Sequence, residues 1–419
     1  MKQSSSLTFE ELYAKIVRAT ETQEVDPDLL KLKYDPHHLE CVLKPSLPNI
    51  KLSCESVTGH CPEKHFLDCL FDNMTKNEGG NWTFKLKSSH CQERLDVEKI
   101  PALLESKDTV STLMTLQKND CPVFVAIAPA FLSQFAGMDD GKIRAAFKRL
   151  GFAGMVEVSL FADILTLKEA LEFDEKIHDE GDYMLTSCCC PMWIQMIRRL
   201  HPRLLDKIPA SVSPMIATGR VIKHLVPGSA VVFIGPCLAK KAEAKEPDIA
   251  DAIDHVLTFR EVKDLFDVAK ITPESLVSDL REHSSYAGRI YAVTKGVSES
   301  VRVTLNRIRP DKEIKVKAQQ ADGVIACKQL LAELETGKTK ANFIEGMGCI
   351  GGCVGGPRAI IDKDVAATHV RNYAKAAIYK SPIDNPYVIE LLHRLGIRTI
   401  EALLEDQFFF TRHFDSVAK

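Results

Sequence analysis

Short apolar runs bounded by turn residues alternate with stretches of helical periodicity through most of this chain. Five runs are predicted to be strands, several of them buried: Val123–Ile127, Met155–Leu160, Val231–Ile234, Ile290–Val293 and Phe343–Met347. The predicted helices between them are Gly141–Leu150, Leu165–His178, Trp193–Leu200, Glu261–Val268 and Lys328–Leu334. This alternation predicts an α/β fold with parallel sheets and crossover helices. Ligand sites in such sheets lie in loops beyond the carboxyl ends of the strands.

The pattern weakens before about residue 120, where polar stretches and five cysteines occur. A domain boundary near Asp120 is therefore expected. We predict an N-terminal helical segment over residues 1–36, a small α+β region over 37–119 and a main domain over 120–419, with lobes at about 120–225 and 226–419. The last part, from Pro386 to Phe414, predicts two short helices that close the fold.

The composition excludes several classes of protein. The 419 residues are 45% hydrophobic and 26% charged, which are ordinary globular values that argue against wholesale disorder. A formal net charge of −3 offers no basic field for a nucleic-acid backbone. The longest apolar stretches, Pro122–Leu132 and Leu225–Pro236, fall short of the roughly 18 residues of a membrane span. The amphipathic start, MKQSSSLTFEELYAKI, does not resemble a secretion signal, so we expect a cytoplasmic protein.

Thirteen cysteines are unusual in such a chain. Their odd number argues against a disulfide framework, so we expect core residues, catalytic thiols or metal ligands. Cys41, Cys121 and Cys327 have apolar neighbours and are interpreted as small buried residues.

The other candidate thiols of the main domain fall in three motifs at predicted strand ends. The first holds Cys188, Cys189 and Cys190 before Pro191. Because neighbouring side chains in extended backbone point to opposite faces, at most one or two of these thiols reach a shared site. A run of small buried residues is the structural alternative. In the second motif Cys237 follows a strand that ends in Gly-Pro.

The second motif also carries Lys240, three residues after its cysteine, and Lys241. The two lysines are typical of a solvated helix face, but a lysine close to a thiolate also suits an anionic cofactor. The third motif places Cys349 and Cys353 among six glycines, which let the backbone approach a cluster closely. One thiolate from each of the first two motifs and two from the third complete a [4Fe–4S] set. Zinc is the rival, but its usual CxxC pairs are absent.

The motifs TSCCCPMW, GPCLAKKAE and EGMGCIGGCVGGP resemble, in order and spacing, the three signature motifs of [FeFe]-hydrogenases. Two further stretches, Ala126–Phe135 and Arg149–Phe173, resemble segments of the same family, and the resemblance covers about residues 120–410. It implies a two-lobed H-cluster domain with twisted, mainly parallel sheets flanked by helices. The implied cofactor is the H-cluster, a [4Fe–4S] cube joined through one cysteine sulfur to a diiron unit that bears CO, cyanide and a bridging dithiolate.

The resemblance also implies roles for individual residues. It assigns the cube to four cysteines, the last of which bridges to the diiron unit: Cys190, Cys237, Cys349 and Cys353. It makes Cys189 the thiol that passes protons to the dithiolate amine. Lys240 matches a lysine that hydrogen-bonds a cyanide, Met347 packs near the bridging carbonyl, and Pro129 and Ala130 line the diiron pocket. Cys188 receives no role.

Glu169 and Glu172 share one face of a predicted helix and match the two glutamates of the family's proton path. Without the resemblance, they would be interpreted as part of a solvated face. The serine of that path falls at about Pro209–Ala210, so one relay is missing unless water or Ser211 replaces it. The terminal arginine becomes approximately Lys176.

Two residues that line the pocket in familiar members also differ. Gly235 stands in place of a methionine and Met215 in place of a glutamine. These departures affect the expected turnover rate and catalytic bias more than the identity of the cofactor.

The N-terminal region lacks the tight CxxCxxCxxxCP spacing of the family's ferredoxin-like clusters. It carries instead four widely spaced cysteines: Cys54, Cys61, Cys69 and Cys91. The stretch from Cys69 to Cys91 resembles a degenerate bacterial ferredoxin hairpin. Two alternatives remain open: the four thiolates hold one additional [4Fe–4S] cluster as an electron relay, or the region has lost its clusters.

The function implied by the resemblance is that of an oxidoreductase acting on hydrogen, 2H⁺ + 2e⁻ ⇌ H₂. Ferredoxin or a similar small carrier is the expected electron partner, and maturation proteins would deliver the diiron unit. No nucleic-acid or membrane partner is expected. A slow hydrogen-sensing protein with the same cofactor and a cube-only iron–sulfur assembly protein are the alternatives. The residues beyond the cube ligands, such as Cys189, Lys240 and Met347, argue against the assembly protein.

Overall fold

The computed structural model describes residues 7–43, 45, 66–87, 92, 95–135, 138–186, 189–337 and 339–414. The strands in this part of the chain form three sheets and are β1 (Met74–Lys76), β2 (Trp82–Phe84), β3 (Val123–Ile127), β4 (Gly154–Glu157), β5 (Met184–Leu185), β6 (Ala230–Gly235), β7 (His255–Thr258), β8 (Ala318–Asp322) and β9 (Phe343–Met347).

Helices surround the two larger sheets. The α-helices of the described residues are Phe9–Thr22, Pro27–Lys31, Glu40–Leu43, Phe66–Asp72, Ile100–Glu105, Lys107–Lys118, Phe131–Gln134, Asp140–Leu150, Val158–Lys176, Pro191–Leu200, Pro214–Leu225, Ala239–Glu243, Phe259–Val268, Tyr286–Arg289, Gly296–Ile308, Val324–Glu335, Lys363–Ala376, Pro386–Arg394 and Ala402–Glu405. Short 3₁₀ helices occupy Pro36–Leu39, Pro202–Lys207, Pro273–Ser275, Ile290–Ala292, Cys353–Gly355 and Pro382–Asp384. No helix among the described residues is both long enough and apolar enough to cross a membrane.

The first large sheet has four parallel strands in the order β4–β3–β6–β7. Val125 of β3 pairs with Met155 on one side and Val232 on the other. Every residue of β3 and β6 is buried, as expected for central parallel strands covered on both faces. The second large sheet is also parallel, in the order β5–β9–β8. The predicted α/β fold with parallel sheets is confirmed.

Each of these sheets takes strands from both sides of residue 225. The first combines β3 and β4 with β6 and β7, and the second combines β5 with β8 and β9. A division at 225 therefore does not separate the two sheets. The predicted domain and lobe boundaries stay predictions.

The predicted strands Val123–Ile127 and Phe343–Met347 are confirmed residue for residue as β3 and β9. The predicted strand Ile290–Val293 is wrong, because the Tyr286–Arg289 helix continues directly into a 3₁₀ helix at Ile290–Ala292. A short buried apolar run has the same hydrophobic pattern in either conformation. The same ambiguity placed the end of β4 too late: it stops at Glu157, and a helix that is buried as far as Phe173 begins at Val158.

The sequence prediction also omitted three short strands of the two larger sheets, β5, β7 and β8. β5 has only two residues, and β7 has four. β8 reads AQQAD, a polar sequence whose residues are mostly half-buried at the edge of the second sheet. These strands lack the long apolar run that a strand prediction needs. The two short C-terminal helices are present, at Pro386–Arg394 and Ala402–Glu405.

The N-terminal region contains an antiparallel hairpin. β1 and β2 pair through Met74 with Phe84 and Lys76 with Trp82, directly after the Phe66–Asp72 helix. Cys69 is buried in that helix. Cys54, Cys61 and Cys91 lie outside the described residues, so the proposed second cluster stays a prediction.

Candidate iron–sulfur site

One cavity collects cysteines from all three motifs. It lies beyond the carboxyl ends of β3, β5, β6 and β9, where loop sites are expected in parallel sheets. Five thiols line it: Cys189, Cys190, Cys237, Cys349 and Cys353. Because these cysteines are up to 164 positions apart in the chain, only the packing of the two sheets brings them together.

Glycines allow the third motif to pack on the first. A Cβ built on Gly346 would overlap the ring of Trp193, in the first turn of the helix after Cys190, and one built on Gly348 would lie 2.5 Å from Met192 Cβ. The close approach positions the Gly348 N–H to donate a hydrogen bond to Cys190 Sγ at 3.3 Å. Backbone N–H groups aimed at sulfur are typical of iron–sulfur sites.

A second glycine contact is required by the backbone itself. Gly352 has φ +89°, and a Cβ there would lie 2.7 Å from Thr294 N and 2.9 Å from Met347 Sδ. Only glycine fits this left-handed position without displacing Met347 from the cavity. Gly356 similarly approaches Pro236 of the second motif, with 2.8 Å between its virtual Cβ and the Pro236 carbonyl oxygen.

The thiols strongly influence one another electrostatically. Burial raises the pKa of Cys353 far above its usual range, and neighbouring Cys190, Cys237 and Cys349 raise it further. Burial also raises the pKa of Cys349 to about 11. Lys240 opposes this effect at Cys237, whose pKa is nevertheless raised by burial. Thiolates crowded into one apolar cavity need a multivalent cation to neutralise them, so the donor set fits an iron–sulfur cluster.

Single-ion coordination is not evident in the described residues. No group of three or more His, Cys, Asp or Glu side chains there converges as ligands of one metal ion. The ligands of a [4Fe–4S] cube each bind a different iron, so they surround a volume instead of meeting at a point. The arrangement of cysteines around the cavity agrees with that requirement.

A buried cation belongs to the cavity wall. Lys240 lines the cavity, and its Nζ lies 2.6 Å from Glu243 Oε2 one helical turn later. Both side chains are buried, so Lys240 is not on a solvated helix face. Its neighbour Lys241 faces away and forms ion pairs with Asp108 and Glu261.

Cys189 lines the cavity and packs against a cluster that contains Tyr291 and Ala162 of the Val158–Lys176 helix. Burial raises its pKa well above the usual range, and the negative charges of Cys190, Cys353 and Glu169 add to the shift. Burial and the charge of Glu169 also raise the pKa of Tyr291, whose hydroxyl lies 2.8 Å from Thr166 Oγ1. The sequence prediction missed Tyr291 because it assigned the surrounding apolar run to a strand.

The two glutamates of the predicted proton path are both buried. The alternative interpretation, a solvated face, is therefore wrong. Glu172 accepts hydrogen bonds from two ammonium groups, Lys168 Nζ and Lys176 Nζ, each at 3.0 Å. Lys168 also donates a hydrogen bond to Ser211 Oγ, one residue after the position Pro209–Ala210 where the family's serine is absent. Sequence reasoning overlooked Lys168, because no local signal separates a buried lysine of this helix from a solvated one.

The apolar part of the wall follows the prediction with one exception. Pro129, Met215 and Met347 line the cavity. Ala130 is not among the lining residues of the described chain; it is fully buried where the Phe131–Gln134 helix begins. Phe233 was not predicted to line the cavity, and a Cβ on Gly235 would lie 2.9 Å from its ring. The phenyl ring packs beside the position where the family's methionine is replaced.

The family model of the iron-only hydrogenase large subunit, C-terminal domain, matches residues 121–357. Iron hydrogenase 1 of Clostridium pasteurianum is 26% identical over 334 residues, covering 67% of this chain and 58% of that protein. The NADP-reducing hydrogenase subunit HndD of Solidesulfovibrio fructosivorans is 29% identical over 369 residues, covering 73% and 62%. The chain thus spans less than two thirds of the length of these hydrogenase relatives.

Other relatives are not hydrogenases by name. The cytosolic Fe–S cluster assembly factor NAR1 of Scheffersomyces stipitis is 26% identical over 196 residues, or 43% of this chain and 35% of that protein.

Solved structures agree in fold. A structure from work on oxygen inactivation of an [FeFe]-hydrogenase superposes with a TM-score of 0.59 at 20% identity, covering 74% of this chain and 99% of that one. A variant of HydA1 from Chlamydomonas reinhardtii gives a TM-score of 0.55 at 20% identity, covering 78% and 99%. The shared fold and the family match over more than half of the chain lead to one conclusion: this protein belongs to the [FeFe]-hydrogenase family, as a divergent member.

Proposed function

We propose that this protein is an [FeFe]-hydrogenase that catalyses 2H⁺ + 2e⁻ ⇌ H₂ at an H-cluster. The supporting observation is a single cavity that is lined by cysteines from three distant motifs. The same cavity is also lined by Cys189, by the buried Lys240 and by Met347. A cube alone needs only four thiolates. The additional residues match those that the resemblance assigns to a diiron unit, which favours a complete H-cluster.

In this proposal four cysteines would hold the cube, and the last of them would also hold the diiron unit: Cys190, Cys237, Cys349 and Cys353. When bound, the cofactor supplies the iron centre at which protons and electrons combine. The Gly348 N–H stabilises the Cys190 thiolate through its hydrogen bond. The apolar wall of Pro129, Phe233 and Met347 excludes water from the site.

Lys240 has an electrostatic role in the proposal. Its ammonium is buried at the cavity wall, where a negatively charged ligand such as cyanide lowers the cost of desolvating it. Glu243 forms an ion pair with the same ammonium at 2.6 Å.

Cys189 moves the protons. A thiol that keeps its proton at neutral pH can give it to a nearby amine and take another from an acid behind it. The raised pKa of Cys189 meets the first condition. Glu169, whose charge contributes to that shift, is the candidate acid, and Glu172 continues the path toward the surface.

Ferredoxin or a similar small carrier supplies the electrons, and maturation proteins deliver the diiron unit in a cytoplasmic setting. A hydrogen sensor would use the same cavity at a lower rate. The similarity to the NAR1 assembly factors supports a third candidate function, a cube-only assembly protein. The infrared experiment described next separates this candidate from the hydrogenase and the sensor.

The test is infrared spectroscopy of protein purified without oxygen and matured with the diiron cofactor. We expect metal-bound CO and cyanide stretches that shift under H₂, together with H₂ evolution from a reduced dye. Iron and sulfide without these stretches would contradict the proposal and favour a cube-only protein. Bands with negligible turnover would indicate the sensor.

Two cysteine variants test the ligand assignment. Cys189→Ala should keep the CO and cyanide bands while H₂ evolution falls by about 100-fold or more, since only the proton donor is lost. Cys353→Ser should lose the bands. Cys327→Ser is the matched control, because Cys327 is buried but does not line the cavity and donates its thiol hydrogen to the Met347 carbonyl. Unchanged turnover in Cys189→Ala would refute the proton-transfer role.

A further inference from the structure

Lys168 carries a positive charge into the interior of the protein. It lies in the middle of the buried Val158–Lys176 helix, and only 2% of its side chain is exposed. A buried ammonium is tolerated when its hydrogens are all bonded and an anion lies nearby. Lys168 is not among the residues that line the cavity, so its role must be inferred from its own hydrogen bonds.

The ammonium has a partner for each of its three hydrogens. It donates to Glu172 Oε1 at 3.0 Å, to the Ala210 carbonyl at 2.7 Å and to Ser211 Oγ at 3.2 Å. The segment that faces it, residues 208–213, reads IPASVS and carries no charge. Glu172 is therefore the anion that balances Lys168.

Glu172 connects Lys168 to the surface. Its Oε2 accepts a hydrogen bond from Lys176 Nζ at 3.0 Å, and the Lys176 side chain is 45% exposed. Ser211, at the inner end, is only 1% exposed. Four side chains thus form an unbroken hydrogen-bonded chain from the interior to solvent: Ser211, Lys168, Glu172 and Lys176.

The proposed proton path lacks a serine hydroxyl, because Pro209 and Ala210 stand at the position of the family's serine. Lys168 Nζ lies at this position, where it donates a hydrogen bond to the Ala210 carbonyl. We propose that Lys168 is a proton-relay residue that transfers protons between Glu172 and Ser211. This inference rests on the proposed hydrogenase activity, because it concerns the route by which its protons reach Cys189.

The transfer balances without any electron movement. For an inward proton, the Glu172 carboxylate first takes a proton from solvent beside Lys176. An Nζ–H bond of Lys168 then breaks as an O–H bond forms on Ser211, and the original hydroxyl proton of Ser211 is taken up by the carboxylate of Glu169, the acid behind Cys189 in the proposed function. The neutral Lys168 amine takes the proton of the Glu172 carboxyl group, which restores the ammonium and the carboxylate. H₂ oxidation runs the same steps in reverse.

Two substitutions distinguish a relay from a fixed charge. Lys168→Met removes the ammonium, whereas Lys168→Arg keeps a positive donor that cannot be deprotonated in a protein. We expect both variants of the matured protein to evolve H₂ about 100-fold more slowly than the unmutated protein. Lys312→Met is the matched control: Lys312 binds the Asp174 and Ile177 carbonyls at the end of the same helix and should leave turnover unchanged.

A second readout needs no cofactor. Difference infrared spectra of the cofactor-free protein, with Glu172→Gln to assign the band, should show the Glu172 carboxylate stretch shifted by Lys168→Met and not by Lys312→Met. This measurement and Lys168→Arg keep the proposal testable if Lys168→Met does not fold.

The outcomes are distinct. Full turnover in Lys168→Met, or full turnover in Lys168→Arg, overturns the relay, the latter because a fixed charge would then suffice. An unshifted Glu172 band overturns the contact on which the relay depends. Absence of H₂ evolution in the unmutated, matured protein overturns the proposed function and the relay with it. Slow turnover in both Lys168 variants with a normal Lys312→Met supports the relay.

Discussion

At the residue scale, the burial of Lys240 depends on its neighbour Glu243. The two side chains form a 2.6 Å ion pair on one short helix, and both are buried. Removing one partner of a buried pair leaves an uncompensated charge, which typically costs about 3–5 kcal/mol. An anionic ligand in the cavity would supply a second partner for Lys240 and reduce that cost.

We therefore predict that Glu243→Gln lowers the free energy of unfolding of the cofactor-free protein by about 3 kcal/mol. The loss should be smaller in the matured protein. Urea unfolding of both forms measures the difference. Asp364→Asn, which breaks the exposed pair with Lys363, should leave the stability of either form nearly unchanged. An equal loss with and without cofactor would contradict an anionic ligand beside Lys240.

At the scale of elements, the strand–loop–helix units bring the motifs together through glycine contacts. Gly346 lies on β9 and packs directly on the indole of Trp193, at the start of the Pro191–Leu200 helix. A side chain at this position would push the loop that carries Cys349 away from the helix that follows Cys190. The proposed cluster binding and the packing of the two loops therefore depend on the same contact.

Gly346→Ala should lower the free energy of unfolding by about 1–3 kcal/mol, since overpacking a filled core is destabilising. It should also reduce the iron bound per chain, because Cys190 and Cys349 no longer face one volume. Gly181→Ala is the control: a Cβ there meets no atom within 4 Å and Gly181 lies in a turn. Chemical unfolding and iron analysis test both variants, and equal behaviour of the two would refute the packing argument.

At the scale of the whole molecule, the N-terminal segment packs on the C-terminal helices. The Tyr34 hydroxyl donates to Glu390 Oε2 at 2.7 Å, and both residues are buried. The Tyr13 hydroxyl lies 2.9 Å from His393 Nδ1, and the Tyr379 hydroxyl donates a hydrogen bond to the Leu32 carbonyl at 2.7 Å. Residues 7–43 therefore share a hydrophobic core with the C-terminal helices.

Tyr34→Phe should lower the free energy of unfolding of the entire chain by about 1–3 kcal/mol, because the buried Glu390 loses a donor. Unfolding should remain a single transition when followed by far-ultraviolet circular dichroism and by tryptophan fluorescence. Tyr13→Phe, at a half-buried site, should cost less. A separate early transition of the N-terminal segment would instead indicate an independent domain.

The sequence by itself determined the fold class and the candidate thiols of the proposed cluster site. Cys237 follows a strand that ends in Gly-Pro, Cys349 and Cys353 lie in a glycine-rich turn, and Cys190 directly precedes the proline that begins a helix. Such local signals can be recognised without three-dimensional information. The central strands β3 and β9 were equally predictable, because fully buried parallel strands are continuous apolar runs.

Tertiary structure alone decided what depends on distant contacts. Tyr34 and Glu390 are 356 positions apart, and Lys168 and Ser211 are 43 apart. No local pattern separates a buried, fully bonded Lys168 from a solvated one, and none distinguishes the 3₁₀ turn at Tyr291 from a strand. Burial changes the electrostatic cost of a charge and the conformation of an apolar run, and burial is a property of the assembled fold.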